Sequence, residues 1–65
     1  MNLREARFFK KMSQYVLESK TGIRQAKLSL FENGYRTPTK LEKIKIAYVL
    51  NCKPDDIFPV SEGKD

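Results

Sequence analysis

Four polar side chains within six residues, Arg24, Gln25, Lys27 and Ser29, carry most of the chemistry this sequence offers. Arginine and lysine neutralise anionic oxygens, an amide presents a donor beside an acceptor, and a hydroxyl does either. At helical spacing these four, with Ala26 and Leu30, lie opposite the apolar pair Leu28 and Phe31. That pattern suits binding a polar, negatively charged surface. Catalysis lacks its usual parts. The chain has no histidine, the commonest general base and metal ligand. Its single cysteine, Cys52, can form neither an internal disulfide nor a zinc cluster. The scattered carboxylates and hydroxyls make no nucleophile–base constellation. No enzymatic activity, metal or cofactor is therefore expected.

The charge balance agrees with an anionic partner. Thirteen Lys and Arg face eight Asp and Glu, a formal charge of +5. Eleven of the basic side chains and only four acidic ones fall in residues 1–45. The last twenty residues are mildly acidic. A basic body of this kind fits nucleic acid first and an anionic membrane surface second. No apolar run exceeds the five residues Ile46–Leu50, whereas a bilayer span needs about 20. The N-terminus alternates charged with apolar residues and has no secretory h-region, and the lone Cys52 fits a reducing, cytoplasmic compartment, which is the location expected.

The elements that must position the polar stretch follow from punctuation and spacing. Sixty-five residues allow one domain with a small core. Apolar spacing predicts a first helix over about residues 2–11, with one of Phe8 and Phe9 in the core. Ser13 is a good N-cap for a helix over 14–21, whose inward stripe is Val16, Leu17 and Thr21 and whose stop is Gly22. A third helix covers about residues 24–32 and stops at Asn33-Gly34. Thr39 caps a fourth, with Leu41, Ile44, Ala47, Val49 and Leu50 inward and Ile46 and Tyr48 widening the face. Pro54 opens a short fifth helix through Phe58, with Asp55 and Asp56 in its first turn. No segment alternates like a strand, so the chain reads as all-α, with a polar tail over 61–65 that frays. Helix, glycine-bearing turn, helix over residues 14–33 has the length of a helix-turn-helix motif.

Those residues resemble the Cro/C1-type (XRE-family) helix-turn-helix proteins of phage repressors and small bacterial regulators. Ser13-Gln14 resembles the start of the family's second helix, Gly22-Ile23 its turn, and Glu32-Asn33-Gly34 the end of its recognition helix. Tyr35-Arg36-Thr37-Pro38-Thr39 matches the following loop, and Asp55-Asp56-Ile57-Phe58 the fifth helix. The resemblance implies a compact five-helix, lambda-repressor-like domain over residues 1–60. Its third helix would enter the DNA major groove and its second would lie across the backbone. It implies base contacts from Gln25, Ala26, Ser29 and Leu30. Glutamine can pair bidentately with adenine, and leucine can pack on a thymine methyl. It implies backbone contacts from Gln14, Arg24, Lys27, Asn33, Arg36 and Lys40, with Tyr15 and Tyr35 near the same face. It further implies a structural ion pair between Arg7 and Glu32.

Two positions depart from the family. Glu18 stands where alanine is usual, and is expected to snorkel or to pair with Lys20 or Lys27. Arg24 stands in place of the usual Ser or Thr cap, which forgoes a bond worth about 1 kcal/mol. Cys52 is expected to be a buried structural thiol. Ile57, Phe58, Pro59 and Val60 exceed what a short helix can bury, and the resemblance makes them a homodimer seam. The implied function is a sequence-specific double-stranded DNA-binding transcriptional regulator, a repressor, acting as a homodimer on a palindromic site. Neither a membrane nor a small-molecule ligand is expected as a partner. The alternative is a protein-interaction module such as an antitoxin or adaptor.

Overall fold

Local chemistry sets where each helix begins. The computed structural model describes residues 2–58 and contains α1 (Leu3–Phe9), α2 (Gln14–Thr21), α3 (Gln25–Glu32), α4 (Lys40–Val49) and α5 (Pro54–Ile57). Among the described residues there is no strand, in line with the all-α expectation. The Asn2 side chain accepts from the Glu5 N–H at 2.8 Å while the Asn2 N–H donates to the Glu5 carboxylate at 3.0 Å. This reciprocal capping box satisfies two donors that the first turn of α1 leaves open. Thr39 and Glu42 make the same box at the start of α4. Ser13 caps α2 through Val16 N–H at 3.1 Å. Arg24 is the N-cap of α3 and makes no side-chain capping bond. Pro54 occupies the first turn of α5, where its missing N–H costs nothing.

The ends of the first four helices are set by single residues with positive φ. Gly22 takes φ +78° and its N–H donates to Glu18 C=O at 2.7 Å, closing α2. The buried Thr21 hydroxyl donates to Leu17 C=O and accepts from Ile23 N–H, so the turn into α3 leaves no orphan polar group there. The helices α1, α3 and α4 close another way. Met12, Tyr35 and Cys52 N–H groups each reach back five residues, to the carbonyls of Arg7, Leu30 and Ala47. The residues just before them, Lys11 (φ +55°), Gly34 (φ +79°) and Asn51 (φ +56°), are left-handed. That is the Schellman pattern, and Lys11 adopts it without being glycine. It ends α1 at Phe9, two residues short of the expected boundary. The fifth helix likewise ends at Ile57, one residue early.

The core joins all five helices. Leu3 and Ala6 of α1, Leu17 of α2, Ile23, Leu28 and Phe31 around α3, Ile46, Ala47 and Leu50 of α4, and Ile57 of α5 are buried together. Helix α2 packs on α3 and α4, α4 on α5, and α1 on α3.

Three expectations about facing need correction. Neither Phe8 nor Phe9 is in the core; both are exposed. The inward positions of α1 are Leu3, Ala6 and Arg7, because the partner of Arg7 lies on that side and fixes the roll of the helix. Phe8 instead lies under the Arg7 guanidinium, 5.1 Å from the ring centre. In α2, Val16 is exposed while Leu17 and Thr21 point inward. In α4 the buried stripe is Ile46, Ala47 and Leu50, with Val49 half-buried, whereas Leu41, Ile44 and Tyr48 face solvent. The helix carries apolar residues on two opposite sides, and its period alone does not say which one α2 and α5 cover.

Candidate nucleic-acid interface

The third helix turns Leu28 and Phe31 into the core and leaves Ala26 and Leu30 exposed, with Gln25, Lys27 and Ser29 half-buried along the margin. Arg24 is exposed at its start, and Asn33, Arg36 and Lys40 are exposed beyond its end. The Asn33 amide donates back to Ser29 C=O at 2.9 Å, closing the last turn on itself. Tyr15 and Tyr35 are both exposed.

What holds this helix is Glu32, its last residue. The Glu32 side chain has no solvent exposure and that of Arg7 only 9%. Arg7 Nε donates to Oε2 at 2.7 Å and Nη2 to Oε1 at 3.2 Å, a two-pronged pair. Arg7 Nη1 also donates to Met12 C=O at 3.0 Å, in the loop leading to α2. Arg4 adds a longer contact of 3.4 Å from the surface. Burial on its own pushes the Glu32 carboxyl up. Hydrogen bonds from Arg7 and Gln14, the Arg7 charge and the Arg4 bond outweigh it and hold the group below the ordinary carboxylate range.

Gln14 extends this network onto the outward face. Its amide nitrogen donates to Glu32 Oε1 at 3.0 Å, and its amide oxygen accepts from Gln25 Nε2. Chemistry dictates the order. An ionised carboxylate only accepts, so Gln14 must turn its NH₂ toward Glu32 and its oxygen toward Gln25. Gln25 then spends one N–H on Gln14. It keeps its second N–H and its carbonyl oxygen, the donor and acceptor that an adenine edge needs.

At the other flank, Lys27 Nζ lies 2.6 Å from Glu42 Oε2, tying the first turn of α3 to the first turn of α4. The Lys27 bond, followed by the Thr39 N–H bond, keeps the Glu42 carboxyl below its ordinary range despite some opposing burial. Lys27 is thus committed to Glu42 and not to Glu18. Among the described residues, neither Glu18 nor Lys20 takes part in an ion pair. Glu18 is half-buried and therefore lies along the surface.

Of the remaining expected positions, Ile57 is buried in the domain's own core and Phe58 is half-buried against it. Pro59, Val60 and the 61–65 tail lie outside the described residues. Cys52 is half-buried against the core; burial, then the nearby Asp56 charge, pushes its thiol up. Among the described residues no helix is long and apolar enough to cross a membrane.

Sequence reasoning missed the Gln14–Gln25 and Lys27–Glu42 bonds. A signal for the second was present, since Thr39-x-x-Glu42 spells a capping box that brings Glu42 to the head of α4. The first has a weaker one, two glutamines each opening a helix of the motif.

Two short helices crossing at a glycine turn, the second with an outward face flanked by polar side chains and braced at both ends, define a helix-turn-helix domain. The model of the Cro/C1-type HTH DNA-binding domain family matches residues 2–62, and the chain belongs to that family. Among curated proteins, none matches it.

Proposed function

We propose that this chain is a sequence-specific transcriptional regulator, a repressor that binds double-stranded DNA with α3 in the major groove and excludes polymerase. The observation that carries this reading is the Glu32–Gln14–Gln25 chain, which presents a half-used amide at the outward start of α3. Gln25, Ala26, Ser29 and Leu30 read base edges. Gln14, Arg24, Asn33, Arg36 and Lys40 contact phosphates; Lys27 joins them, sharing its charge with Glu42. One small domain makes few phosphate contacts, so a symmetric homodimer reading two half-sites about 34 Å apart supplies the affinity. Phe58 with Pro59 and Val60 forms its seam, and Ile57 anchors Phe58 from within the core.

The test is selection of bound sequences from a random double-stranded DNA pool, followed by a promoter-reporter assay on the consensus. A palindromic consensus and reduced transcription are expected. A site without two-fold symmetry overturns the homodimer, and raised transcription overturns repression. If no sequence is enriched, specific recognition itself is wrong. Binding to the consensus should also weaken with salt, log K falling by about 0.9 per phosphate neutralised for each tenfold rise in salt.

A further inference from the structure

Helix α4 is apolar on the side that it buries and again on the side that it does not. Leu41, Ile44 and Tyr48 are 62%, 46% and 85% exposed. At about 100° per residue they fall within one narrow arc, opposite Ile46, Ala47 and Leu50, and form a ridge about 10 Å long. A contiguous exposed apolar ridge marks an interaction surface, yet this face has no neighbour among the described residues. The ridge is bordered by cations. Lys40 lies along one flank and Lys45 along the other, and Lys53 stands across a hollow that it shares with Ile44, Pro54 and Asp55. None of these lysines takes part in an ion pair among the described residues. The helix's own acidic side chain, Glu42, is already committed to Lys27.

From this pattern we infer that the outer face of α4 is a docking surface for a partner protein, through an amphipathic segment with an apolar stripe and acidic flanks. Charge decides the occupant. A second copy apposing the same ridge would set lysines against lysines, and like charges brought together cost binding. Nucleic acid would use the lysines but gains nothing from three exposed apolar side chains, whereas a helix lying on its apolar face uses both. Aliphatic anchors against Leu41, Ile44 and Tyr48 would supply the buried area, and carboxylates over Lys45 and Lys53 would set orientation and speed encounter. This surface does not depend on the base contacts proposed for α3.

The test uses the whole chain as bait for a library of random peptides about 16 residues long, enough for about four helical turns. The expected peptides carry apolar residues at i, i+3, i+4 and i+7 spacing flanked by Asp and Glu, and shift the amide resonances of α4 on titration. The Leu41→Ser/Tyr48→Ser double variant should bind them at least about tenfold more weakly. Because both side chains are exposed, that variant should keep the melting temperature and DNA retardation of the parent. Lys45→Glu/Lys53→Glu should lose the same peptides. The inference is overturned if no such peptides are recovered, or if peptides with acidic residues alone suffice. It is equally overturned if the double variant loses phosphatidylglycerol-vesicle binding or self-association in place of peptide binding.

Discussion

The guanidinium of Arg7 in α1 and the carboxylate of Glu32 at the end of α3 meet at 2.7 Å with almost no access to solvent. They fasten the first helix to the proposed reading helix. The pair also explains why an arginine fills a core-facing position of α1 and why two phenylalanines beside it do not. With Gln14 and Met12 C=O completing their shells, no buried side-chain polar atom among the described residues lacks a hydrogen bond.

Breaking this pair from one side should be severe. Arg7→Ala leaves a buried carboxylate without its main partner, a loss of about 3–5 kcal/mol. A chain of this length has only about 3–10 kcal/mol in all. Urea unfolding followed by circular dichroism should therefore show Arg7→Ala largely unfolded or close to it. The joint replacement Arg7→Met/Glu32→Leu should recover much of the loss, because no unpaired charge remains. A loss below about 1 kcal/mol for Arg7→Ala would mean that the pair behaves like an exposed one.

Stability should fall with acid through this same carboxylate. Glu32 holds its proton less tightly when folded than when unfolded, so below the ordinary carboxylate range the unfolded chain binds the extra proton first. The contribution is complete above that range and disappears as pH drops through the lowered folded value. Glu42 acts with the same sign, from a pair nearer the surface. Melting temperatures measured from pH 7 downward should decline. Glu32→Gln should begin lower and decline less steeply, and parallel curves for the two proteins would contradict the assignment.

Gln14 and Gln25 should act as one unit. Gln25→Ala should relax preference at a single base step at a cost of about 1–3 kcal/mol. Gln14→Ala removes the bond that orients Gln25, so part of the same preference should go with it. Binding of the single and double variants to the selected site gives a double-mutant cycle. Strong non-additivity is expected, and additive losses would show that the two amides contribute separately.

Backbone conformation gives a pair of opposite effects. Gly22→Ala meets no atom within 4 Å, yet must hold φ near +78°, so it should destabilise by roughly 1 kcal/mol through strain alone. Lys11 already bears that strain at φ +55°, and Lys11→Gly should stabilise by up to about 1 kcal/mol. Thermal unfolding reads both; a loss of stability in Lys11→Gly would place the value of that residue in its side chain.

The sequence made the element order and the caps legible, because Ser13, Gly22, Thr39 and Pro54 each act on the chain beside them. It was silent at Lys11, where tertiary packing imposes a glycine-like turn on a residue that carries no mark of it. It misjudged α4, where two apolar stripes compete and only the arrival of α2 and α5 selects one. At the candidate site the residues of α3 were legible from helical spacing. The side-chain bonds among Gln14, Gln25, Lys27 and Glu42 were not, since each spans eleven residues or more and depends on where separate helices come to rest.

Because α3 is braced by Glu32 at one end and by Lys27 near the other, its outward positions are freed from any duty to hold the scaffold upright. If α3 reads DNA as proposed, Ala26 and Leu30 can be exchanged as a lock's pins are, re-addressing the domain without rebuilding it. Position 25 is the exception: its amide shares a bond with Gln14, so a new residue there requires a matching change one helix away.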